Sequence, residues 1–295
     1  MMSSRHVLEN EQIYSNIDVL LSIAYQANDT FVSDEMYTHS ESRIHFVSAE
    51  DRFRLGRSGT AVTKSGSVLS LDRVRAFDGT TTRVFEQKKV GNISPGRIED
   101  GTYLGPHTFA LGKDHVGVPL SVFLKGDVAI ADQRNNTLSK EIRVECSYVC
   151  EDLVDYLKCH KILANLSSKE SGYLHFSTFI WLAEDRNYLP VKTQSFLHRV
   201  SSDIAKAETH VSNLREVSPG CWYPFTTEEI VFNNFAISER KQQQLQWKQS
   251  TVVKSCSLSP KYADDYFSTI DYPDGTGMYE VVDGKILRAW GSGSP

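Results

Sequence analysis

The hydrophobic pattern is most informative between Tyr173 and Leu182, where it fits the period of two that is typical of a strand. Successive side chains of an extended strand point to opposite faces, so this segment has two faces. One face carries Leu174, Phe176, Thr178, Ile180 and Leu182. The other carries Tyr173, His175, Ser177, Phe179 and Trp181. Both are largely apolar, whereas the outer face of a half-buried strand carries charge. We therefore expect both to be covered, either by protein on each side or by something apolar on the concave side of a curved sheet.

Most other apolar runs are short, extended and bounded by turn residues. The pattern predicts strands at 43–47, 52–55, 72–77, 80–86, 140–148, 157–166, 220–232, 245–257, 278–282 and 285–289, and a strand or short apolar helix at 17–25. Asp78-Gly79 and Asp283-Gly284 supply the positive φ angle that a two-residue hairpin turn needs. Gly56-Arg-Ser-Gly59 is not followed by the Gly-Lys-Thr/Ser sequence and helix of a phosphate-binding loop. It therefore predicts a turn that ends the strand before it. This order indicates a meandering antiparallel sheet.

Few helices are predicted. Residues 118–126 have a Pro in the first turn and a terminal Gly, which is typical of a two-turn helix. Residues 260–267 predict a second short helix. Two segments stay open: 151–164 fits a helix or a strand, and 202–214 fits a helix or a polar loop.

Composition narrows the class of protein. The chain has 295 residues, of which 40% are hydrophobic and 23% charged, values typical of a globular protein. A net charge of −5 with scattered Lys and Arg excludes nucleic acid as a partner. Since the sequence has no apolar run of about 18 residues, we expect no transmembrane segment. Residues 1–10 show no apolar signal-peptide region, so the cytoplasm stays open as the alternative to an exported location. Residues 291–295 predict a flexible tail.

The sequence offers little support for catalysis or metal binding. Cys146, Cys150, Cys159 and His160 are the closest to a zinc set, but their spacing is not that of a finger or ribbon. On a strand, Cys159 and His160 would also point to opposite faces. No serine lies in a nucleophile elbow, and the carboxylate pairs are adjacent in predicted loops. We predict free thiols, no metal, no cofactor and no enzymatic activity.

Four phrases together resemble the lipoprotein-sorting (LolA-like) family, particularly its long planctomycete-type members. They are residues 181–191, 215–224, 76–83 and 272–276, the last followed by Tyr279 and Asp283-Gly284. Each phrase alone consists mostly of residues that are common in turns, together with an aromatic residue. The resemblance rests on the order and spacing of the four phrases. It covers roughly residues 10–290.

The resemblance implies one domain over residues 1–290. Its fold would be mainly β, a single antiparallel sheet rolled into an incomplete, unclosed β-barrel with a few short helices as a lid. Relatives shuttle the acyl chains of lipoproteins across the periplasm, which implies the cell envelope or periplasm as the location and a lipid or lipoprotein acyl chain as the partner. The oligomeric state stays open, with a monomer favoured.

We therefore predict a non-catalytic binding or carrier protein for an apolar or acylated ligand on the concave face of the sheet. The predicted ligand-binding residues are Ile44, Phe46, Phe53, Leu55, Leu174, Phe176, Ile180 and Leu182. A register error of one residue would exchange the Leu174 row for the row of Phe179 and Trp181. The alternative is a structural or protein-interaction module of the same fold without a small-molecule ligand.

Overall fold

The computed structural model describes residues 14–31, 33, 36–87, 96–100, 128–129, 141–282 and 285–291. The chain forms two compact units. The first unit comprises residues 1–14 and 107–252, and the second unit comprises 15–106 and 253–295. The helix predicted at 118–126, the Asp283-Gly284 turn and tail residues 292–295 lie outside the described residues. One domain over 1–290 stays a prediction.

The described backbone is mostly strand. The strands are β1 (Ile17–Ala27), β2 (Tyr37–Ala49), β3 (Arg52–Thr63), β4 (Val68–Ser70), β5 (Arg73–Phe77), β6 (Thr81–Glu86), β7 (Gly96–Asp100), β8 (Val128–Ala129), β9 (Glu141–Val154), β10 (Leu157–Ser168), β11 (Leu174–Ala183), β12 (Leu189–Leu197), β13 (Ala207–Ser218), β14 (Cys221–Phe232), β15 (Leu245–Leu258), β16 (Gly277–Val282) and β17 (Lys285–Gly291). The described helical elements are 3₁₀ turns at Asp29–Phe31 and Asp264–Phe267 and the helix α1 (Asn234–Arg240).

Within each unit the strands pair mainly antiparallel, which confirms the predicted mainly β, antiparallel fold class. In the second unit the pairing runs β1–β2–β3–β5–β6–β7–β16–β17, with β7 and β16 parallel. In the first unit it follows the chain from β8 to β14, and β14 pairs with β15. The short hairpin connections that dominate the sequence account for this mainly antiparallel order.

None of the helices among the described residues is long and apolar enough to cross a membrane.

The segments that the sequence left open are mostly strand. Residues 151–164 contain the end of β9 and the start of β10, joined at Asp155 and Tyr156, both of which have positive φ. Two consecutive positive φ angles are those of a type I′ turn, which few residues other than Gly and Asn favour. The uncertain segment 202–214 ends within β13. The helix predicted at 260–267 is limited to the 3₁₀ turn at Asp264–Phe267.

The prediction of a turn at Gly56-Arg-Ser-Gly59 is wrong. These residues lie inside β3, which pairs with β2 without interruption from Arg52 to Val62. A Cβ atom on Gly59 would lie 2.1 Å from the carbonyl oxygen of Glu41. Gly59 therefore permits close approach of two strands and does not end one.

We expect Gly59→Ala to lower the free energy of unfolding by about 1–3 kcal/mol, because the added methyl forces β2 and β3 apart. Urea denaturation measures the change. Gly56→Ala is the matched control, since its Cβ would meet nothing closer than the His45 oxygen at 4.0 Å. Equal stability of the two variants would contradict the close-approach explanation.

Candidate functional site

Four of the eight predicted ligand-binding residues share one side of the sheet in the second unit. The register places Phe46 opposite Leu55 and Ser48 opposite Phe53. Directly opposed residues project to the same side, and Ile44, two residues before Phe46, projects there as well. We call this side the Ile44 face. Its apolar members include Ile17, Val19, Leu21, Ile23, Ile44, Phe46, Phe53, Leu55, Phe77 and Val84.

The Ile44 face follows from strict alternation in β1 and from alternation in β2 as far as Phe46. Val19 and Leu21 are wholly buried, whereas Leu20 between them is 39% exposed on the other side. Phe46 and Phe53 are also wholly buried, with ring centroids 6.2 Å apart. The face is therefore apolar and closely packed over most of its area.

Three arginines lie on the Ile44 face beside these apolar residues. Arg57 is opposite Ile44 in β2 and opposite Arg73 in β5. Arg75, two residues after Arg73, has its guanidinium carbon 5.8 Å from the centroid of the Phe53 ring. The face thus changes from apolar to cationic across β3 and β5.

Few described groups balance this charge. Glu86 of β6 lies opposite Arg73, and Arg57 Nε donates to Ser42 Oγ at 3.2 Å. Burial lowers the pKa of Arg57; Tyr37 and Glu86 oppose this shift, and Arg73 adds to it. An arginine pKa starts so high that the guanidinium stays charged.

Sequence reasoning missed these arginines, although the signal was present. In β5, Arg73 and Arg75 are an even number of residues from Phe77, and in β3, Arg57 is an even number of residues from Phe53. Period two therefore places all three arginines with apolar residues. The wrong prediction of a turn at 56–59 placed Arg57 outside the strand. In β5, the alternation predicted a hairpin but was not extended to the side on which the arginines lie.

The opposite side of β3 is covered by the chain around residues 264–269. Arg54 Nη1 donates to the carbonyl oxygens of Tyr266, at 2.8 Å, and of Thr269. The guanidinium carbons of Arg54 and Arg52 lie 4.8 and 5.0 Å from the ring centroids of Tyr266 and Phe267, respectively. These contacts anchor β3 from the side that does not carry the predicted site.

The hairpin between β5 and β6 is held by Asp78. Its carboxylate accepts hydrogen bonds from the backbone N–H groups of Thr80 and Thr81, at 3.0 and 2.8 Å, and from Arg83 Nη1 at 2.7 Å. Burial pushes the pKa of Asp78 upward, but the hydrogen bonds from Thr81, Arg83 and Thr80 outweigh it and hold the pKa well below its usual range. Gly79 adopts the expected positive φ of 97°.

The other four predicted residues, Leu174, Phe176, Ile180 and Leu182, lie on β11 in the first unit. Ile180 and Leu182 are buried, and Leu174 and Phe176 are half-buried. Ile180 is opposite Ile162 in β10 and Thr193 in β12. Thr178 and Ser195 are also opposed, and their hydroxyls are hydrogen-bonded at 3.1 Å. This Ile180 face, the side of β10–β13 that carries Ile180, therefore combines apolar residues with buried hydroxyls.

The reverse side of β11 is aromatic and cationic. Lys161 Nζ lies 4.4 Å from the ring centroid of Phe179 and 4.6 Å from that of Trp181, and Lys192 Nζ lies 5.0 Å from Trp181. The Trp181 indole N–H donates to Asp152 Oδ2 at 2.9 Å. Ile180 and Trp181 are both buried, so both sides of β11 are covered there, as the alternation predicted.

The cysteines and His160 do not form a metal site among the described residues. Cys146 and Cys150 are exposed on β9, whereas Cys159 is buried on β10. Adjacent positions of β10 carry Cys159 and His160, which therefore point to opposite sides. Burial raises the pKa of the Cys159 thiol to about 11, which disfavours the thiolate that a metal or a nucleophile would require.

One Ser–His pair is close enough to suggest catalysis. Ser177 Oγ lies 2.7 Å from His198 Nε2, but it also donates to Asn165 Oδ1 at 2.6 Å. A serine hydroxyl has a single hydrogen, so His198 must act as the donor in its own contact. His198 in this arrangement does not act as a base on Ser177.

A cavity of about 450 Å³ opens in the first unit, and none of the predicted ligand-binding residues lines it. It is lined by Gln194, Phe196, Asp203, Ile204, Ala205, Glu208, Lys241 and Gln243. Because most of these side chains are polar, this cavity is not the apolar one that the sequence predicts.

Comparison with known proteins gave matches among solved structures only: no family model and no curated protein matches the chain. A structure described as an outer-membrane lipoprotein-sorting protein domain from Vibrio parahaemolyticus is 10% identical, covering 90% of this chain and 95% of its own, with a TM-score of 0.43. A LolA superfamily protein from Nitrosomonas europaea is 11% identical, covering 91% and 99%, with a TM-score of 0.43. The lipoprotein LppX from Mycobacterium tuberculosis is 9% identical, covering 88% and 94%, with a TM-score of 0.28.

These similar structures include lipoprotein-sorting and LolA superfamily proteins, the family that the sequence phrases indicated. The likeness concerns the fold. At these identities and TM-scores it says nothing about which molecule the present chain binds.

We expect Asp78→Asn to lower the free energy of unfolding at neutral pH by about 1–2 kcal/mol, because the charged partner of Arg83 is lost. The pKa of Asp78 is depressed in the folded state, so its contribution is present above the unfolded pKa, about 4, and is lost as the pH falls through the folded pKa. Urea denaturation between pH 7 and pH 2 should therefore show the two proteins converging in acid. A constant difference would contradict the ionic explanation.

Proposed function

We propose that this protein binds an apolar or acylated molecule, a lipid or lipoprotein acyl chain, and catalyses no reaction. The Ile44 face carries the proposal. It presents apolar side chains on five neighbouring strands, β1, β2, β3, β5 and β6. The opposite side of β3 is anchored independently by Arg54, so opening of the Ile44 face need not disturb β3 itself.

The dimensions of the face suit an acyl chain. From Ile17 to Ile23, β1 advances about 20 Å at 3.4 Å per residue. The step from β1 to β5 spans three strand spacings, about 14 Å. Burial of about 14 CH₂ groups contributes roughly 10 kcal/mol before the costs of association, so hydrophobic contact alone is enough for binding.

Access to the face requires movement. Phe46 and Phe53 are wholly buried, so a ligand reaches them only after the contacts that bury them have opened. Leu55 is half-buried and lies opposite Phe46, which makes it the predicted residue of this face that a ligand meets first. Binding should therefore be coupled to a conformational change.

In the first unit, taken by itself, we propose the same role for Leu174, Phe176, Ile180 and Leu182. Leu174 and Phe176 are the accessible members of this row. The resemblance of the sequence phrases to the lipoprotein-sorting family extends the proposal to a carrier that works in the cell envelope.

The second candidate function is a structural or protein-interaction module of the same fold. Complete burial of Val19, Phe46 and Phe53 favours it, because a face that is already filled has no need of a ligand. The polar lining of the described cavity agrees with this alternative.

Organic extraction followed by mass spectrometry separates the two functions. Gently purified protein should release a reproducible lipid, and it should bind Nile red, an uncharged apolar dye. Protein that is always empty and leaves the dye fluorescence unchanged would favour the interaction module.

We expect Leu55→Asn to weaken Nile red binding about five- to tenfold, because it replaces apolar contact at the accessible part of the Ile44 face. Leu20→Asn is the matched control, since Leu20 is exposed on the opposite side of β1. Fluorescence titration measures both variants, and equal losses would exclude the Ile44 face as the binding surface.

A further inference from the structure

The arginine cluster of the Ile44 face, Arg57, Arg73 and Arg75, is an unusual feature in a chain whose net charge is −5. Arg57 and Arg73 are directly opposed in the ladder. Like charges at directly opposed positions destabilise a sheet, and partial burial adds a desolvation cost. Glu86, which lies opposite Arg73, carries a single negative charge and cannot neutralise both Arg57 and Arg73.

The cluster also retains hydrogen-bonding capacity. Arg73 Nε is buried and has no hydrogen-bond partner among the described residues. Arg57 Nε is bonded to a neutral group, the Ser42 hydroxyl. A guanidinium presents five N–H donors in a planar fork that fits the two oxygens of a carboxylate or phosphate.

The position of the cluster relates it to the apolar surface. Arg57 lies opposite Ile44, and Arg75 lies against the Phe53 ring. Along β3, Arg57 is four residues from Phe53, which corresponds to about 13 Å. A molecule with a charged head at Arg57 and Arg73 could therefore place its chain on Leu55, Phe53 and Phe46.

We propose that Arg57 and Arg73 bind the anionic oxygen headgroup, a carboxylate or a phosphate, of an amphiphile whose apolar chain lies on the Ile44 face. This inference rests on the proposed function and adds the chemical class of the ligand. A bound headgroup would relieve the repulsion between Arg57 and Arg73 and would provide an acceptor for Arg73 Nε.

Displacement of Nile red by three matched amphiphiles tests the inference. Palmitate and hexadecyl phosphate carry an anionic head, and hexadecanol carries a neutral one on the same chain length. Below their aggregation concentrations, the two anions should bind at least about tenfold more tightly than hexadecanol. The double variant Arg57→Gln/Arg73→Gln should abolish this difference by weakening the binding of the two anions.

Arg43→Gln is the matched control, since Arg43 is exposed on β2 at a position that alternates away from the face. It should behave like the wild type. Inorganic phosphate at millimolar concentration distinguishes a headgroup site from a free-anion site. If inorganic phosphate displaces hexadecyl phosphate as effectively as palmitate displaces it, the site recognises the free ion and the inference is overturned.

The remaining outcomes are separable. Failure of all three amphiphiles and of Nile red to bind would remove the proposed function, and the inference with it. Equal binding of the three would retain the function and overturn the inference. This comparison uses the wild-type protein, so it decides the matter even if the double variant does not fold.

Discussion

The cross-strand register of β2, β3 and β5 is the constraint on which the proposed site depends. A shift of one residue would turn Ile44, Phe46 and their neighbours to the other side of the sheet. Gly59 lets β3 approach the β2 backbone closely, and Arg54 anchors β3 to the chain around Tyr266. The Asp78 hairpin sets β5 against β6 in the same way. Together these groups decide which side chains a ligand would meet.

The register also brings charge and apolar surface together on one face. Arginine is better suited than lysine to a partly buried apolar surface, because its guanidinium is less strongly hydrated and stacks on aromatic rings. The contact between Arg75 and Phe53 is an example. In the first unit, Lys161 and Lys192 lie over Trp181 on the reverse side of β11, whereas the Ile180 face carries neutral hydroxyls. These cations therefore lie on the side opposite the predicted ligand-binding residues of that unit.

Much of the strand content could be predicted from the sequence, because period-two alternation survives wherever one side is buried. β11, β14 and β15 lie within a residue or two of their predicted bounds. The hairpin at Asp78-Gly79 was predictable because its turn has a chemical requirement that these two residues meet.

Other elements could not be predicted, since their local signals mislead. The turn at Asp155 and Tyr156 takes positive φ angles without a glycine, so 151–164 looked ambiguous. The helix α1 is short and depends on a cap, in which the Asn233 side chain accepts from the Ala236 N–H. Gly56 and Gly59 suggested a turn because glycine is common in turns, but in the structure Gly59 permits the close approach of a second strand.

The sequence by itself determined the fold class, the alternation of each strand and the apolar character of the rows around Ile44 and Ile180. These properties depend on residues close together in the chain, so local pattern is enough to reveal them. Only the tertiary structure decided that Ile44 is opposite Arg57, and that Arg57 is opposite Arg73. Strand pairing sets these contacts, and pairing depends on how far each strand slides along its neighbour, a choice made by packing on both sides of the sheet. The chemistry of the proposed site therefore arises from register.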